Sequence, residues 1–254
     1  MGAVIITGAG LGIGYAIAEA LAQQGYEVII CSRNHKHLRE ARDRLCDLRS
    51  GSAYDVVLDI SDKQAVDREF EAIFGSHDNV MGLVNNAAIL KPSPFLSDPD
   101  FWVSTINTNL LGTYFTSYAF IKNLTQYQGR KIINIASTLA HTGRAGFSAY
   151  CSSKHAVLGF TRALALEYLE HGLIVNSISP GWVETAMALN DLKVRSKALG
   201  MDIASYRRMV EEQIPIKRFL KPTEVADMAL YLFQNQSIAI SGQDFSINGG
   251  EILT

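Results

Sequence analysis

The chain predicts an α/β fold, a parallel sheet of about seven strands doubly wound with helices on both faces. Two observations carry the prediction. Short apolar runs alternate with segments of helical period almost from end to end. No Pro/Gly/Ser-rich linker, charge block, repeat or low-complexity run interrupts residues 1-254, so a single domain is expected. Residues 3 to 6 (Ala, Val, Ile, Ile) read as a buried strand, and Ile13, Ala16, Ile17, Ala20 and Leu21 then recur at helical spacing. Glu27 to Ser32 is the second strand, and an amphipathic helix runs from about His35 to Arg49. Tyr54 to Leu58 is the third strand; Ser61 and Gln64 read as the capping box of the helix that follows. Gly82 to Asn85 is a short fourth strand, before a long helix from about Phe101 to Tyr127. Lys131 to Ile135 is the fifth strand, and a helix covers about Ala149 to His171. Leu173 to Ile178 is the sixth strand, residues 186 to 213 form a polar helical excursion, and a helix from Thr223 to Phe233 leads to a last strand at Phe245 to Ile247.

Composition narrows the function classes. At 254 residues the chain can bury a full core. Its 48% hydrophobic and 19% charged content predicts a globular, soluble protein. A formal net charge of -2 gives no basis for holding nucleic acid by bulk electrostatics. Cys31, Cys46 and Cys151 lie far apart with no C-x-x-C pair, the pattern of reduced thiols in a cytoplasmic protein. The first strand begins within three residues of Met1, which leaves no room for a signal peptide. No apolar run approaches the ~18 residues of a membrane span. The six histidines show no metal-ligand spacing, so no metal is expected.

The stretch Thr7-Gly8-Ala9-Gly10-Leu11-Gly12-Ile13-Gly14 follows the first strand and opens the first helix. Glycines there let the backbone approach a pyrophosphate, while the helix N-terminus supplies unpaired N–H groups and a favourable dipole. The pattern is T-G-x-x-x-G-x-G rather than the general G-x-G-x-x-G, and it makes a Rossmann-type dinucleotide site the first expectation. Thr7, Gly8, Gly12, Ile13 and Gly14 are its candidate cofactor residues.

The second chemical signal is Tyr150 with Lys154, four residues apart and so on one face of a helix. The pair is not rare, since Tyr118–Lys122 and Tyr127–Lys131 share the spacing. Only Tyr150 follows a strand whose carboxyl end carries a hydroxyl, Ser137. A free phenol, with pKa ~10, is a poor acid–base group near neutrality. A nearby ammonium favours the phenolate and brings it towards the working pH. Tyr150 can then exchange a proton with an alcohol or ketone, Ser137 polarises the same oxygen, and a nicotinamide supplies or accepts the hydride.

Through these residues and those that follow, the chain resembles the short-chain dehydrogenase/reductase family along nearly its whole length. Thr7–Gly14 matches the family's cofactor loop, and Asn85-Asn86-Ala87-Ala88 resembles its N-N-A-G, with Ala88 in place of glycine. Asn107-Thr108-Asn109, Asn134 to Ser137, Tyr150–Lys154, Asn176 to Gly181 and Ser241 to Gly250 follow in the family's order. The resemblance implies a catalytic tetrad of Asn109, Ser137, Tyr150 and Lys154, in which Asn109 holds a water that connects Lys154 to solvent. It also implies that Lys154 binds the nicotinamide ribose, that Val183 and Thr185 contact the carboxamide, that Asp59 and Ile60 lie at the adenine, and that Asn86 and Ala87 touch the cofactor. Members of the family are commonly homotetramers or dimers built from the long helices, here about 101–127 and 149–171.

About 20 residues past the glycine loop, NAD enzymes of this architecture place an acid against the ribose. This chain has Ser32 and Arg33 there, with no carboxylate to repel a 2′-phosphate and a cation to pair with one, so NADP (NADPH) is expected over NAD. Against this stands Leu11, where many NADP-dependent members carry a basic residue. Arg144 reads as a solvated loop charge more readily than as the reader of an acidic substrate, and His141 as loop or pocket wall. A substrate lid is expected at about 186-214, with Ser137, Leu139, Phe147, Tyr150, Trp182 and Met187 around the substrate. The expected substrate is a medium-sized, partly apolar ketone or secondary alcohol. The alternatives are an NAD-dependent alcohol or hydroxy acid dehydrogenase, and a dinucleotide-sensing regulator without turnover.

Overall fold

The computed structural model describes residues 2–48 and 52–253. Seven strands, β1 (Ala3–Thr7), β2 (Glu27–Ser32), β3 (Ala53–Val57), β4 (Val80–Asn85), β5 (Lys131–Ile135), β6 (Ile174–Pro180) and β7 (Asp244–Ile247), pair in parallel in the order β3-β2-β1-β4-β5-β6-β7. Alternate residues of β1 feed opposite cores. Val4 and Ile6 pack beneath α1 (Gly12–Gln23), α2 (His35–Leu48) and α9 (Pro222–Gln234). Ala3 and Ile5 pack beneath α3 (Lys63–Ser76), α5 (Gly112–Asn123) and α6 (Ser148–Tyr168). Burial on both faces explains why the inner strands read as continuous apolar runs rather than as alternating ones. The chain changes direction of winding between β1 and β4, and a crevice opens beyond their carboxyl ends, where such folds take ligands.

The predicted elements are present, with informative differences. Arg49, the expected end of α2, lies outside the described residues. Asp62, not Ser61, caps α3: its carboxylate accepts the N–H groups of Gln64 and Ala65 at 3.0 and 3.1 Å. The Ser61 hydroxyl is spent on Asp59 Oδ1 at 2.7 Å. The long helix expected over 101–127 begins earlier, as α4 (Pro99–Ile106) with Asp98 as its cap, and ends at Asn123. Between α4 and α5 it contains one π-helical turn, Asn107–Leu111. The excursion at 186–213 is two helices, α7 (Ala186–Ala198) and α8 (Ile203–Gln213), separated at Gly200, where φ is +66°.

A buried polar ladder fixes the helices on the sheet. Asn85 Nδ2 donates to Ser117 Oγ at 2.9 Å and to Asn134 Oδ1 at 2.8 Å. Asn134 Nδ2 continues to Thr161 Oγ1 at 2.8 Å, and Thr116 Oγ1 donates to Asn85 Oδ1 at 2.6 Å. The satisfied chain runs α5–β4–β5–α6, and satisfied buried networks rigidify what they join. Among the described residues no helix is long and apolar enough to cross a membrane, and no His/Cys/Asp/Glu group could hold a metal.

Candidate active site

A cleft of about 660 Å³ lies along the carboxyl ends of β1, β2, β4, β5 and β6. Its floor at β1 is the glycine loop. Gly8 and Gly12 adopt φ of +67° and +62°, a region L side chains rarely enter. The first turn of α1 has no side-chain cap and no acidic residue, so its N–H groups and dipole face the cleft uncompensated. Gly14 acts from behind the cleft: a Cβ there would lie 2.5 Å from Asn86 Nδ2 and 2.6 Å from the Gly8 carbonyl. Thr7 is fully buried, and its hydroxyl accepts the N–H groups of Asn86 and Ala87 at 3.0 and 3.1 Å. Asn86 Nδ2 returns bonds to the Thr7 and Gly8 carbonyls at 3.0 Å each. Thr7 and Gly14, expected at the cofactor, therefore do not line the cleft; they hold the loop that does. Gly8, Gly12, Ile13, Asn86, Ala87 and Ala88 line it.

Ser32, Arg33, Asp59 and Ile60 converge at the β2 and β3 end of the cleft. Here the expectation that no carboxylate faces this position is corrected. Asp59, at the end of the neighbouring strand, sits 3.5 Å from Arg33 Nη1, with the two side chains 41% and 58% exposed. Although partial burial acts to raise it, the Asp59 carboxyl is held below its ordinary range by hydrogen bonds from Ser61 and by Arg33. An exposed pair of this kind is worth roughly 0–1 kcal/mol, weak enough for a phosphate to compete.

Tyr150, Ser137 and Lys154 meet at the β5 end. Ser137 accepts the Leu139 N–H at 3.1 Å and lines the cleft beside Tyr150. Lys154 Nζ donates to the Ile135 carbonyl at 2.7 Å and lies 5.7 Å from the Tyr150 ring centroid. Burial, not the ammonium, dominates both titrations. It pushes Tyr150 up to about 12, against opposing effects of Ser137 and Arg144, and Lys154 down to about 8. The Lys154 ammonium, expected to favour the phenolate, is not among the groups that shift Tyr150, and desolvation sets the direction. Asn109 lies in the π-helical turn, a feature frequent at functional sites. Its Oδ1 accepts the Ile89 N–H at 2.8 Å, and its Nδ2 donates to the Ile89 carbonyl at 3.0 Å and to Ser153 Oγ at 3.2 Å. Asn109 therefore clamps the segment that leaves β4 onto α6.

Of the remaining expected residues, Leu139, Trp182, Val183, Thr185 and Met187 line the cleft. Thr185 also caps α7, its hydroxyl accepting the Ala188 N–H at 3.2 Å. Phe147 does not reach the cleft: it is 2% exposed and packs behind Leu139 and Tyr150. Arg144, read from sequence as a solvated loop charge, is instead a wall residue with a side chain only 25% exposed, held over the Trp182 ring at 5.2 Å. Asp191 of α7 lines the cleft at 3% exposure and was not expected; an acid in a polar helix carries no sequence signal of burial. His141 turns away to Asp244 at 2.7 Å.

A sequence profile of the short chain dehydrogenase family matches residues 2–195. The 3-oxoacyl-acyl-carrier-protein reductase FabG of Aquifex aeolicus is 30% identical over 247 residues, 97% of this chain and 95% of that one. Carbonyl reductase family member 4 of Xenopus laevis is 32% identical over 246 residues, covering 96% and 95%. The crystal structure of a variant of actinorhodin polyketide ketoreductase with NADPH superposes with a TM-score of 0.94 at 30% identity, covering 98% of this chain and 97% of that one. The chain belongs to the short-chain dehydrogenase/reductase family and is an oxidoreductase acting on CH–OH and keto groups.

Proposed function

We propose that the protein is an NADPH-dependent reductase that converts a medium-sized, partly apolar ketone to a secondary alcohol. The observation that carries this reading is the Tyr150 phenol, which lines the same cleft as Ser137, Lys154 and the glycine loop and whose pKa burial pushes up to about 12. A phenol that stays protonated near neutrality is poised to give a proton rather than to take one. The glycine loop, with room for no Cβ at Gly14 and an uncapped helix start, fits a pyrophosphate. Ser32 and Arg33 would hold the 2′-phosphate, and Asp59 and Ile60 the adenosine. Asn86, Ala87, Val183 and Thr185 would border the nicotinamide, and Lys154 its ribose. A bound nicotinamide supplies the hydride, chemistry no side chain offers. Ser137 and Tyr150 then hydrogen-bond the ketone oxygen, and the Tyr150 proton passes to it as charge develops there. Lys154, tied to Ile135, keeps a cation beside the phenol below pH ~8. Asn109 holds the Ile89 backbone and, through a water, would connect Lys154 to solvent. Residues 186 to 214 would close over the substrate beside Leu139, Trp182 and Met187.

On this reading the protein is a cytoplasmic homotetramer or dimer. Tyr114 and Tyr118 on α5, 43% and 45% exposed, are the candidate interface; light scattering at the monomer mass would refute the assembly. The Asp59 carboxylate beside Arg33 favours a second reading, an NAD-dependent secondary alcohol or hydroxy acid dehydrogenase. Titration of the purified protein with NADPH and NADH, followed by cofactor consumption over a ketone and alcohol panel, separates them. Tighter NADPH with ketone-dependent oxidation supports the first reading; tighter NADH with alcohol-dependent reduction supports the second. Binding without turnover of any substrate would indicate a regulator.

A further inference from the structure

Beneath α7 the cleft wall carries charges that hydride and proton transfer leave unused. Asp191 is 3% exposed, faces the cleft, and its Oδ1 has no hydrogen-bond partner among the described residues. Buried polar atoms are nearly always partnered, so an orphan acceptor facing a ligand cleft points to a donor brought by the ligand. The surroundings restrict what that donor is. Burial raises the Asp191 carboxyl above its ordinary range, and the fields of Arg195 and Arg144 oppose that rise. Arg144 lies over the Trp182 ring at 5.2 Å with Glu251 Oε1 at 3.7 Å, and Arg195 lies over the Phe147 ring at 5.2 Å. Arg144 and Trp182 separate the cleft from a second cavity of about 320 Å³ lined also by Arg195 and Glu251. Arg144 and Asp191 therefore put one charge of each sign on the cleft wall, with Arg195 and Glu251 behind them in the second cavity. A cationic ligand group in the cleft would meet Arg144, and an anionic one would meet Asp191. A neutral hydroxyl meets neither penalty and supplies the proton that Asp191 Oδ1 lacks.

Resting on the reductase reading above, we infer that the physiological substrate is a ketone bearing a neutral hydroxyl group, which donates a hydrogen bond to the Asp191 carboxylate beside Arg144 and Trp182. Asp191 is thereby a specificity-determining residue on the lid, distinct from the groups that move the hydride and proton. A site built to bond a hydroxyl discriminates strongly against the analogue that lacks it.

The test is NADPH-dependent reduction of matched ketone pairs, each hydroxy ketone beside its methyl-terminated isostere, in a series that varies the spacing of the hydroxyl from the carbonyl. At the best spacing the wild type should favour the hydroxy ketone at least ~10-fold in kcat/KM, the lower bound for a hydrogen bond to a charged acceptor. In Asp191→Ala the ratio should fall to near one, and Asp191→Asn, which keeps an acceptor oxygen, should restore part of it. If Asp191→Ala does not fold, the wild-type ratio and the asparagine variant carry the test. A wild-type ratio near one at every spacing, or one that Asp191→Ala leaves unchanged, overturns the inference and leaves the reductase reading standing. A preference for carboxylate- or ammonium-terminated ketones over the hydroxy series overturns it equally. Failure to reduce any ketone with NADPH bound overturns the reductase reading, and the inference with it.

Discussion

Replacing Arg33 and Asp59 in turn should move the two cofactors in opposite directions. Arg33 Nη1 is 3.5 Å from Asp59 Oδ2, and both side chains are well exposed. Their mutual attraction is worth at most about 1 kcal/mol, whereas a charge-assisted bond to a 2′-phosphate is worth roughly 1.5–3 kcal/mol. Arg33→Ala should therefore weaken NADPH about 10- to 150-fold. It should change NADH less than about threefold, because that cofactor brings only hydroxyls to the position. The Asp59 carboxylate acts in the other sense. At about 6 Å in a water-like dielectric its repulsion of a phosphate costs on the order of 1 kcal/mol, about fivefold in affinity. Asp59→Asn keeps an oxygen to accept the Ser61 N–H and hydroxyl, now at 2.9 and 2.7 Å, so the loop keeps its anchor. NADPH should bind up to about fivefold tighter to that variant and NADH weaker, since a ribose hydroxyl loses its charged acceptor. Fluorescence titration at two salt concentrations measures both effects, which should shrink as salt screens them. Equal losses of NADPH and NADH in Arg33→Ala would show that Arg33 does not read the 2′-phosphate, and Asp59→Asn favouring NADH would show that Asp59 does not repel it.

Further expectations follow from the same structure. Tyr150→Phe should lower kcat for ketone reduction at least ~100-fold, with a much smaller change in the Kd for NADPH; stopped-flow and equilibrium titration separate the two. With Lys154 depressed to about 8 and Tyr150 raised to about 12, reduction should be level below pH 8 and decline above it as the ammonium is lost. A rise with pH through 8–9 would instead indicate phenolate chemistry. Gly14→Ala should destabilise the fold by more than about 2 kcal/mol, because its Cβ would meet the Gly8 carbonyl at 2.6 Å; urea unfolding measures it. Stability should also respond to pH. Lys131 and Lys154 titrate near 8 when folded, so between pH 8 and 10.5 the unfolded chain binds more protons and stability rises with pH. Cys31, raised to about 12, opposes this above its unfolded pKa near 9. The net gain from pH 8 to 9 should be about 1.5 kcal/mol, and a fall in urea midpoint over that interval would contradict it.

The strand and helix order, the glycine loop and the Ser137–Tyr150–Lys154 set were legible in the sequence, because each rests on a local period or a fixed spacing. Hydrophobic alternation, glycine at a strand-to-helix turn, and two side chains one helical turn apart are short-range facts. Tertiary structure decided what depends on neighbours from distant segments. Asp59 reached Arg33 because β2 and β3 pair side by side, which placed a carboxylate where the linear order showed none. Packing took Phe147 out of the cleft and brought Arg144 into its wall, since exposure follows what lies above a residue rather than its polarity. Desolvation then reversed the expected titration of Tyr150, an energy set by burial and invisible to spacing. Asp191 is the sharpest case: an acid on a polar helix reads as surface, and only the fold of that helix over the cleft buries it and leaves its oxygen without a partner among the described residues.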